Sequence, residues 1–476
     1  MNKEKNMKTS IYNKVLKTSF ASCLLLLACG SFSSCDDKLD IIPKGKTTLE
    51  NVNDLEALLN TEYHLYKDPN EDIAIICNEV LGQWSSVPEV ISQKNTVEYA
   101  NMAYDESVDR AALTTEDTRY NDAYKHINAM NVIISKMPDA TGDGTRKDQY
   151  IAEARMLRAY FHWLMVCIYA KQYDDATAED EGGIAYVDNT NVGETKEKLS
   201  LAETYRRILD DCSDEVIAQL PQKNPNVERV DQAFGNAFRA KVLMQMKHYS
   251  EALPYAQASL RINSLIQDRS EIINTMSWSL TQDMENNLLY VGGSTRVCPT
   301  FINLSLESGT LFEDGDYVVN YDLMGGWNPS WTAGIPGVLQ YQGWSTMGNV
   351  WGIISDHVYY DAAECLIRTG KIMEGLQQVD KVRAKRVENY VPFAQGNPSE
   401  QEAMAMLQRA KWIECIGTYE NFFDCKRWNT EANYKRTITR SLGDYGTFSI
   451  KPESPLWVLP FPANATRYNP TLTQNY

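Results

Sequence analysis

Apolar residues recur every three to four positions over most of this chain, the period of a helix with one buried face. The pattern is sharpest between 115 and 263. Tyr120, Ala123, Tyr124, Ile127, Met130 and Ile134 form one stripe, closed by Pro138 with Gly142 and Gly144. Ala154, Leu157, Phe161, Leu164 and Ile168 form the next, and Leu201, Tyr205, Ile208, Leu209 and Cys212 a third. Ser200 and Glu203 precede the third stripe with capping-box spacing, hydroxyl and carboxylate each satisfying a free backbone donor. Two further stretches carry small residues where paired helices cross closely. In one, Ala233, Ala237, Ala240 and Met244 lead through Lys247-His248-Tyr249 to Ala252, Tyr255, Ala256 and Leu260. In the other, Tyr359, Ala363 and Leu366 lead through Thr369-Gly370-Lys371 to Leu376, Val379 and Val382.

These two stretches resemble tetratricopeptide hairpins with the consensus only partly met. They stand more than a hundred residues apart, which predicts separate helical hairpins and no regular solenoid. Between them the helical period fades. Residues 270–355 hold five of the ten Trp and eleven of the 26 Gly, no Lys, a single Arg (Arg296) and eight acidic residues. Long loops on a rigid scaffold are where binding function concentrates. The predicted fold is mainly α: tetratricopeptide-like helical hairpins forming an α/α superhelical scaffold, with a long aromatic and Gly-rich loop insert. The segments are a leader (1–34), an N-terminal segment (35–115), helical pairs (116–265), the insert (266–355) and a C-terminal helical segment (356–476).

The N-terminus addresses the chain. Lys3, Lys5, Lys8, Lys14 and Lys17 precede a short apolar core, Phe20 to Ala28, and then Gly30-Ser31-Phe32-Ser33-Ser34. A basic leader, an apolar stretch of roughly 7–15 residues and a small-residue exit make a secretory signal. The core is far shorter than the ~20 apolar residues of a spanning helix. Cys35, followed by Asp36-Asp37, reads as a bacterial lipoprotein site at which the thiol takes the lipid. Cys29, after Leu26-Leu27-Ala28, is the rival position; the acidic chain that begins directly after Cys35 favours Cys35.

Net charge −17 argues against nucleic-acid binding, which needs basic surface to displace phosphate counterions, and the leader removed at Cys35 is itself basic. Beyond Cys35 the seven thiols are irregularly spaced and lack a CxxC. One disulfide is possible; a disulfide framework is not indicated.

Enzyme signatures are missing: no GxSxG, HExxH, GxxxxGK[ST] or GxGxxG. His64, His126, His162, His248 and His357 are scattered, and His162 beside Trp163 reads as a packed helix residue. Asp139, Thr141, Asp143 and Gly144 are spaced like the start of a calcium loop, but Tyr150 stands where the bidentate Glu is required, so this is a turn. Glu414, Glu420 and Asp424 near Arg409 and Arg427 read as ion pairs on a helical surface. No catalytic residue, cofactor or metal is indicated.

The insert offers binding chemistry instead. Trp327-Asn328-Pro329-Ser330-Trp331 sets two indoles about a turn with an amide between them, and Tyr341 and Trp344 follow. Flat rings beside amides suit carbohydrate, the ring covering the CH face of a sugar while amides take its hydroxyls. Trp84, in Gly82-Gln83-Trp84-Ser85-Ser86, is a further candidate. The competing reading for each Trp is a satellite core under the loops.

At this point the chain resembles the SusD/RagB family of outer-membrane lipoproteins, over nearly its whole length after the leader. Cys35-Asp36-Asp37-Lys38-Leu39-Asp40 through Pro43 is similar to the family's opening. Tyr124 to Asn131 and Ala152 to Tyr160 resemble its most recognisable helix pair. Val382-Arg383-Ala384-Lys385-Arg386 and Asp424-Cys425-Lys426-Arg427-Trp428 resemble its C-terminal motifs, and Leu459-Pro460-Phe461-Pro462 through Gln474-Asn475 its closing segment. There are departures. Tyr169-Ala170-Lys171 and Gly183-Ile184-Ala185-Tyr186 stand where the family has an aromatic-Gly and then a Pro. Thr418-Tyr419-Glu420-Asn421 replaces a usual Glu-Gly-x-Arg, so an internal ion pair is expected to be missing.

The resemblance implies a non-catalytic, surface-exposed lipoprotein of the outer membrane. It also implies an oligosaccharide ligand and a SusC-type TonB-dependent transporter as partner. Alternatives are peptide uptake, as in the RagB branch, a lipid-anchored glycoside hydrolase, and a periplasmic helical scaffold for envelope assembly.

Overall fold

The stripes become the frame of a computed structural model, which describes residues 49–65, 70–191, 193–272, 282, 284–292, 302–317, 327–329, 339–341 and 349–476. Helix α1 (Thr118–Lys136) packs against α2 (Lys147–Tyr169), and α3 (Leu201–Asp211) packs on α2. From Met156 to Tyr169 every residue of α2 is buried, so this helix is the axis about which the others gather. Phe161 on its seam is fully buried, 5.1 Å from the His126 ring and 5.5 Å from Tyr63.

Polar groups on α2 are satisfied within the frame. Arg155 and Arg158 both reach Asp211 on α3, at 3.0 and 2.7 Å. His162 uses both ring nitrogens, Nδ1 donating to the Arg158 carbonyl at 2.9 Å and Nε2 accepting from the Val187 amide at 3.0 Å. Burial pushes its pKa down to about 3, so it is a neutral packing residue. Of the capping box predicted at α3, one half forms. The Glu203 amide donates to Ser200 Oγ, while the Glu203 carboxylate turns to the Arg206 and Arg207 guanidiniums. Asp143 caps a short turn by accepting from the Thr145 amide.

The tetratricopeptide-like hairpins are α4 (Gln232–Gln245) with α5 (Tyr249–Ile262), and α6 (Ser355–Arg368) with α7 (Ile372–Arg383). Lys247 (φ 64°) turns the first and Gly370 (φ 86°) the second, both in the left-handed region. Their sequence separation predicts separate hairpins; in the structure α5 packs directly on α6 and the two hairpins stack. Helices α8 (Glu400–Glu414), opened by a complete Ser399/Glu402 capping box, and α9 (Glu420–Asn429) close the frame. Leu49 to Tyr476 form one compact unit. No helix among the described residues is long and apolar enough to cross a membrane.

Where α4, α6, α8 and α9 meet, the contact is ionic. Lys411 Nζ lies 2.7 Å from Asp424, 3.1 Å from Asp361 and 3.4 Å from Glu420. Lys241 Nζ lies 2.8 Å from Asp361 and 2.5 Å from Glu420. Arg427 forks onto Glu364 at 2.6 and 2.7 Å and also meets Asp424. Burial alone would raise Glu364, but the Arg427 guanidinium outweighs it and holds the carboxyl at about 2. Nearby, Arg386 joins Glu414 (2.8 Å) to Asp356.

One expectation is corrected here. The carboxylates at 414, 420 and 424 are buried inside the frame, because each finds a cation on another helix or one turn along its own. Arg409 is not among those cations; it donates to the Leu311 and Phe312 carbonyls. At 418–421 the uncharged Thr418 and Asn421 make no ion pair. Glu420 takes two lysines, and Asn421 donates to the buried Glu79 carboxylate at 2.9 Å. Burial pushes Glu79 up to about 7 despite the Gly417 amide and Asn421. The described cysteines, Cys77, Cys167, Cys212, Cys365, Cys415 and Cys425, are all free and buried.

Lys411→Met leaves Asp361 and Glu420 with Lys241 alone and Asp424 with Arg427 alone, so three buried carboxylates share two cations, and it is expected to cost about 3–5 kcal/mol of unfolding free energy. Arg206→Ala, which breaks only exposed pairs, leaves the denaturation midpoint in place. Urea unfolding of both variants checks this; equal midpoints would mean the buried charges are individually dispensable.

Candidate functional site

The insert leaves and re-enters the frame through a two-stranded neck. Strand β1 is Val80–Gly82, and the neck pairs β2 (Asn287–Leu289) antiparallel with β6 (Ile353–Ile354), directly before α6. Asn349 clamps it. Its Oδ1 accepts from the Val291 and Gly352 amides, and its Nδ2 donates to Asn287 Oδ1 and the Leu289 carbonyl, all within 3.0 Å. Gly352 is required at this crossing, since a Cβ there would sit 2.0 Å from the Leu289 carbonyl oxygen. Trp351, fully buried, stacks on Tyr419 at 6.0 Å with its carbonyl taken by Tyr160. One of the insert's five Trp is therefore core.

Beyond the neck lie β3 (Ile302–Leu304), β4 (Trp327–Pro329) and β5 (Leu339–Tyr341). They join β1 in one antiparallel sheet of order β1-β3-β5-β4. Its register sets Trp327 opposite Tyr341, Asn328 opposite Gln340, Ile302 opposite Tyr341, and Gly82 opposite Asn303. The sheet thus brings the backbone of Trp327, Asn328 and Tyr341 into line with the strand that runs into Trp84. Trp331 and Trp344 lie outside the described residues, as does Cys35.

Trp84 is tied to this sheet by its amide, which donates to the Asn303 side chain at 2.9 Å. Its indole is only 8% exposed and packs with Leu81, Val87, Met102 and Leu442. Its edge contact is Tyr445, 6.0 Å away between ring centroids and itself 40% exposed. Tyr445 is the aromatic that sequence reasoning missed. It sits at the tip of a hairpin of β7 (Ile438–Ser441) and β8 (Thr447–Ile450), between Gly443 (φ 59°) and Gly446 (φ 113°). An aromatic flanked by turn glycines between two strand-like runs was the available signal.

The hairpin is fixed to the sheet by charge and amide contacts. Arg440, fully buried, donates Nε to Asn78 Oδ1 at 2.9 Å and Nη1 to the Asn101 and Met102 carbonyls. Burial lowers its pKa, since carbonyls take most of its donors. Glu307, just past β3, accepts from the Ser441 amide and from Asn78, both at 3.1 Å. Among the described residues no group of three or more His, Cys, Asp or Glu could hold a metal ion. Of the Trp84 and Tyr445 rings, that of Tyr445 is the one that reaches solvent, beside the buried indole of Trp84.

Two family models match in chain order: a SusD-like model described as starch-binding and associating with the outer membrane, over residues 37–244, and the SusD family model over residues 357–476. Together they take in more than half of the chain and leave the insert between them. No curated protein sequence matches. Among solved structures, a SusD superfamily protein of Bacteroides thetaiotaomicron superposes with TM-score 0.69 at 16% identity, over 90% of this chain and 100% of that one. The surface glycan-binding protein A of Bacteroides uniformis gives 0.66 at 15%, over 89% and 99%. A SusD-like carbohydrate-binding protein of Bacteroides vulgatus gives 0.63 at 14%, over 89% and 97%. At these identities the likeness is one of fold. Matched by family models on both sides of its insert, the chain belongs to the SusD family, whose members are non-catalytic binding proteins.

Proposed function

We propose that this chain is a surface-exposed lipoprotein of the outer membrane that captures oligosaccharides and delivers them to a SusC-type TonB-dependent transporter. The observation that carries the reading is the four-stranded sheet. It puts the strands of Trp327, Asn328 and Tyr341 in one sheet with the strand that leads to Trp84, whose indole meets the partly exposed ring of Tyr445. In the sequence Trp331 follows β4 by two residues and Trp344 follows β5 by three. The family description, starch-binding and associating with the outer membrane, supports the same ligand class and location. So do the glycan- and carbohydrate-binding activities given for the two structural neighbours. The basic leader and the acidic start after Cys35 support the lipid anchor.

Charge selects among glycans. Residues 270–355 hold eight acidic side chains and one Arg, so neutral or amine-bearing sugars are favoured over uronates and sulfated sugars, whose charge meets like charge. Stacking with a few hydrogen bonds gives a Kd of roughly 10 μM to 1 mM, about −4 to −7 kcal/mol, weak enough for release to a transporter.

Cys35→Ala is expected to release the protein from membranes and abolish palmitate incorporation, while Cys29→Ala changes neither; the reverse result would move the anchor to Cys29. Calorimetry with neutral oligosaccharides tests the site itself. Trp331→Ala should weaken binding at least tenfold, about 1.4 kcal/mol, with thermal unfolding unchanged. If Trp327→Ala and Trp331→Ala bound normally yet unfolded early, these rings would be core and the ligand would sit elsewhere.

A further inference from the structure

Three lysines are buried among the described residues, Lys241, Lys411 and Lys426. The first two each contact at least two carboxylates. Lys426 contacts none. Its Nζ donates to the carbonyls of Cys167 and Ala170, at 2.5 and 2.8 Å, where α2 ends. Capping the helix C-terminus accounts for where the ammonium sits. It uses two of three N–H donors and supplies no full countercharge.

Lys426 also lines a cleft of about 500 Å³, a size usual for small-molecule sites. The loop after α2, the end of α9, Pro452 to Val458 and the C-terminal Tyr476 form its walls. None of these residues belongs to the aromatic sheet. The other charges facing Lys426 across the cleft are largely spent. Lys171 pairs with Glu181 at 2.9 Å, and Asp174 pairs with Lys247 at 2.8 Å. Glu453 is exposed at the rim, and the buried Cys167 thiol is pushed up to about 12, hence uncharged. The cleft therefore has one buried ammonium that no described carboxylate pairs with, in a wall whose Asp174 and Glu181 are each taken by a lysine and whose Glu453 stands at the rim. Burial pushes Lys426 down to about 8, whereas their carboxylates hold Lys241 and Lys411 above the ordinary lysine value despite burial.

We infer that this cleft is a second ligand site that takes a small organic monocarboxylate, one oxygen accepting the third N–H of Lys426. Trp457, Pro455 and Tyr476 would cover the body of the ligand, and Gln172 and Thr430 offer polar contacts. Doubly charged anions are disfavoured by Asp174, Glu181 and Glu453 at the walls.

Glucuronate and glucose are the probes, since they share a ring and differ in the carboxylate. Calorimetry on the full chain carrying Trp331→Ala weakens the aromatic site at least tenfold and so reduces its share of the measurement. Glucuronate should bind and glucose should bind at least tenfold more weakly. The glucuronate affinity should fall about fivefold between pH 8 and pH 9, because the ammonium goes from about half to about one-tenth protonated there. Thr177→Trp, at the exposed rim, should abolish binding by closing the mouth without touching the helix cap, and Lys426→Met should abolish it by removing the charge. Glucose binding as tight as glucuronate, no glucuronate binding up to millimolar concentration, or glucuronate binding unchanged by Thr177→Trp would each overturn the assignment.

Discussion

The rest of the structure depends on one buried charge cluster. Lys241, Lys411 and Arg427 face Asp361, Glu364, Glu420 and Asp424 across four helices that are far apart in sequence. Charges out of water carry a desolvation cost that only good mutual geometry offsets. Apolar seams tolerate sliding by a turn, since one methyl replaces another. A set of forked, interlocking ion pairs does not. With Asp361 and Glu364 one turn apart on α6, and Glu420, Asp424 and Arg427 along one face of α9, a single relative placement pairs nearly every group. The cluster thus fixes how the first hairpin meets the second.

That placement is what the insert needs. The chain departs after α5 and returns at α6, and these two helices pack on each other. The excursion therefore begins and ends at adjacent points and is pinched by the Asn349 neck. A long loop rooted this way can vary in sequence without disturbing the frame. The sheet at its outer part borrows β1 from the N-terminal region and is tied to the hairpin of Tyr445 by Arg440 of that hairpin and by Glu307 just past β3. The sheet and its bracing hairpin are therefore assembled from three distant parts of the chain, none of which forms them alone.

The frame was legible in the sequence because helical period and small-residue spacing act locally. The seam of Leu157, Phe161 and Leu164 and the turns at Lys247 and Gly370 stand where the pattern puts them. The stacking of the two hairpins was not legible, since the intervening insert hides it from any count of residues. The charges of α8 and α9 were read as surface pairs because burial of an ion depends on partners on other helices, which spacing within one helix cannot reveal. At the site, the sequence marked the insert and Trp84 but gave neither their pairing through β1 nor the burial of the Trp84 indole. Tyr445 was missed because it lies far along the chain and meets the site only through the hairpin that Arg440 anchors.

The central claim is that ligand is held by the loop sheet while the ion-locked frame stays unchanged. Hydrogen exchange of the intact chain, with and without a saturating neutral oligosaccharide, measures this directly. The account predicts slowed exchange at 80–84, 302–304, 327–341 and 443–446, with α2, α4, α5 and α6 unaltered. Slowing confined to the helical hairpins, or none in the loop sheet despite calorimetric binding, would contradict it.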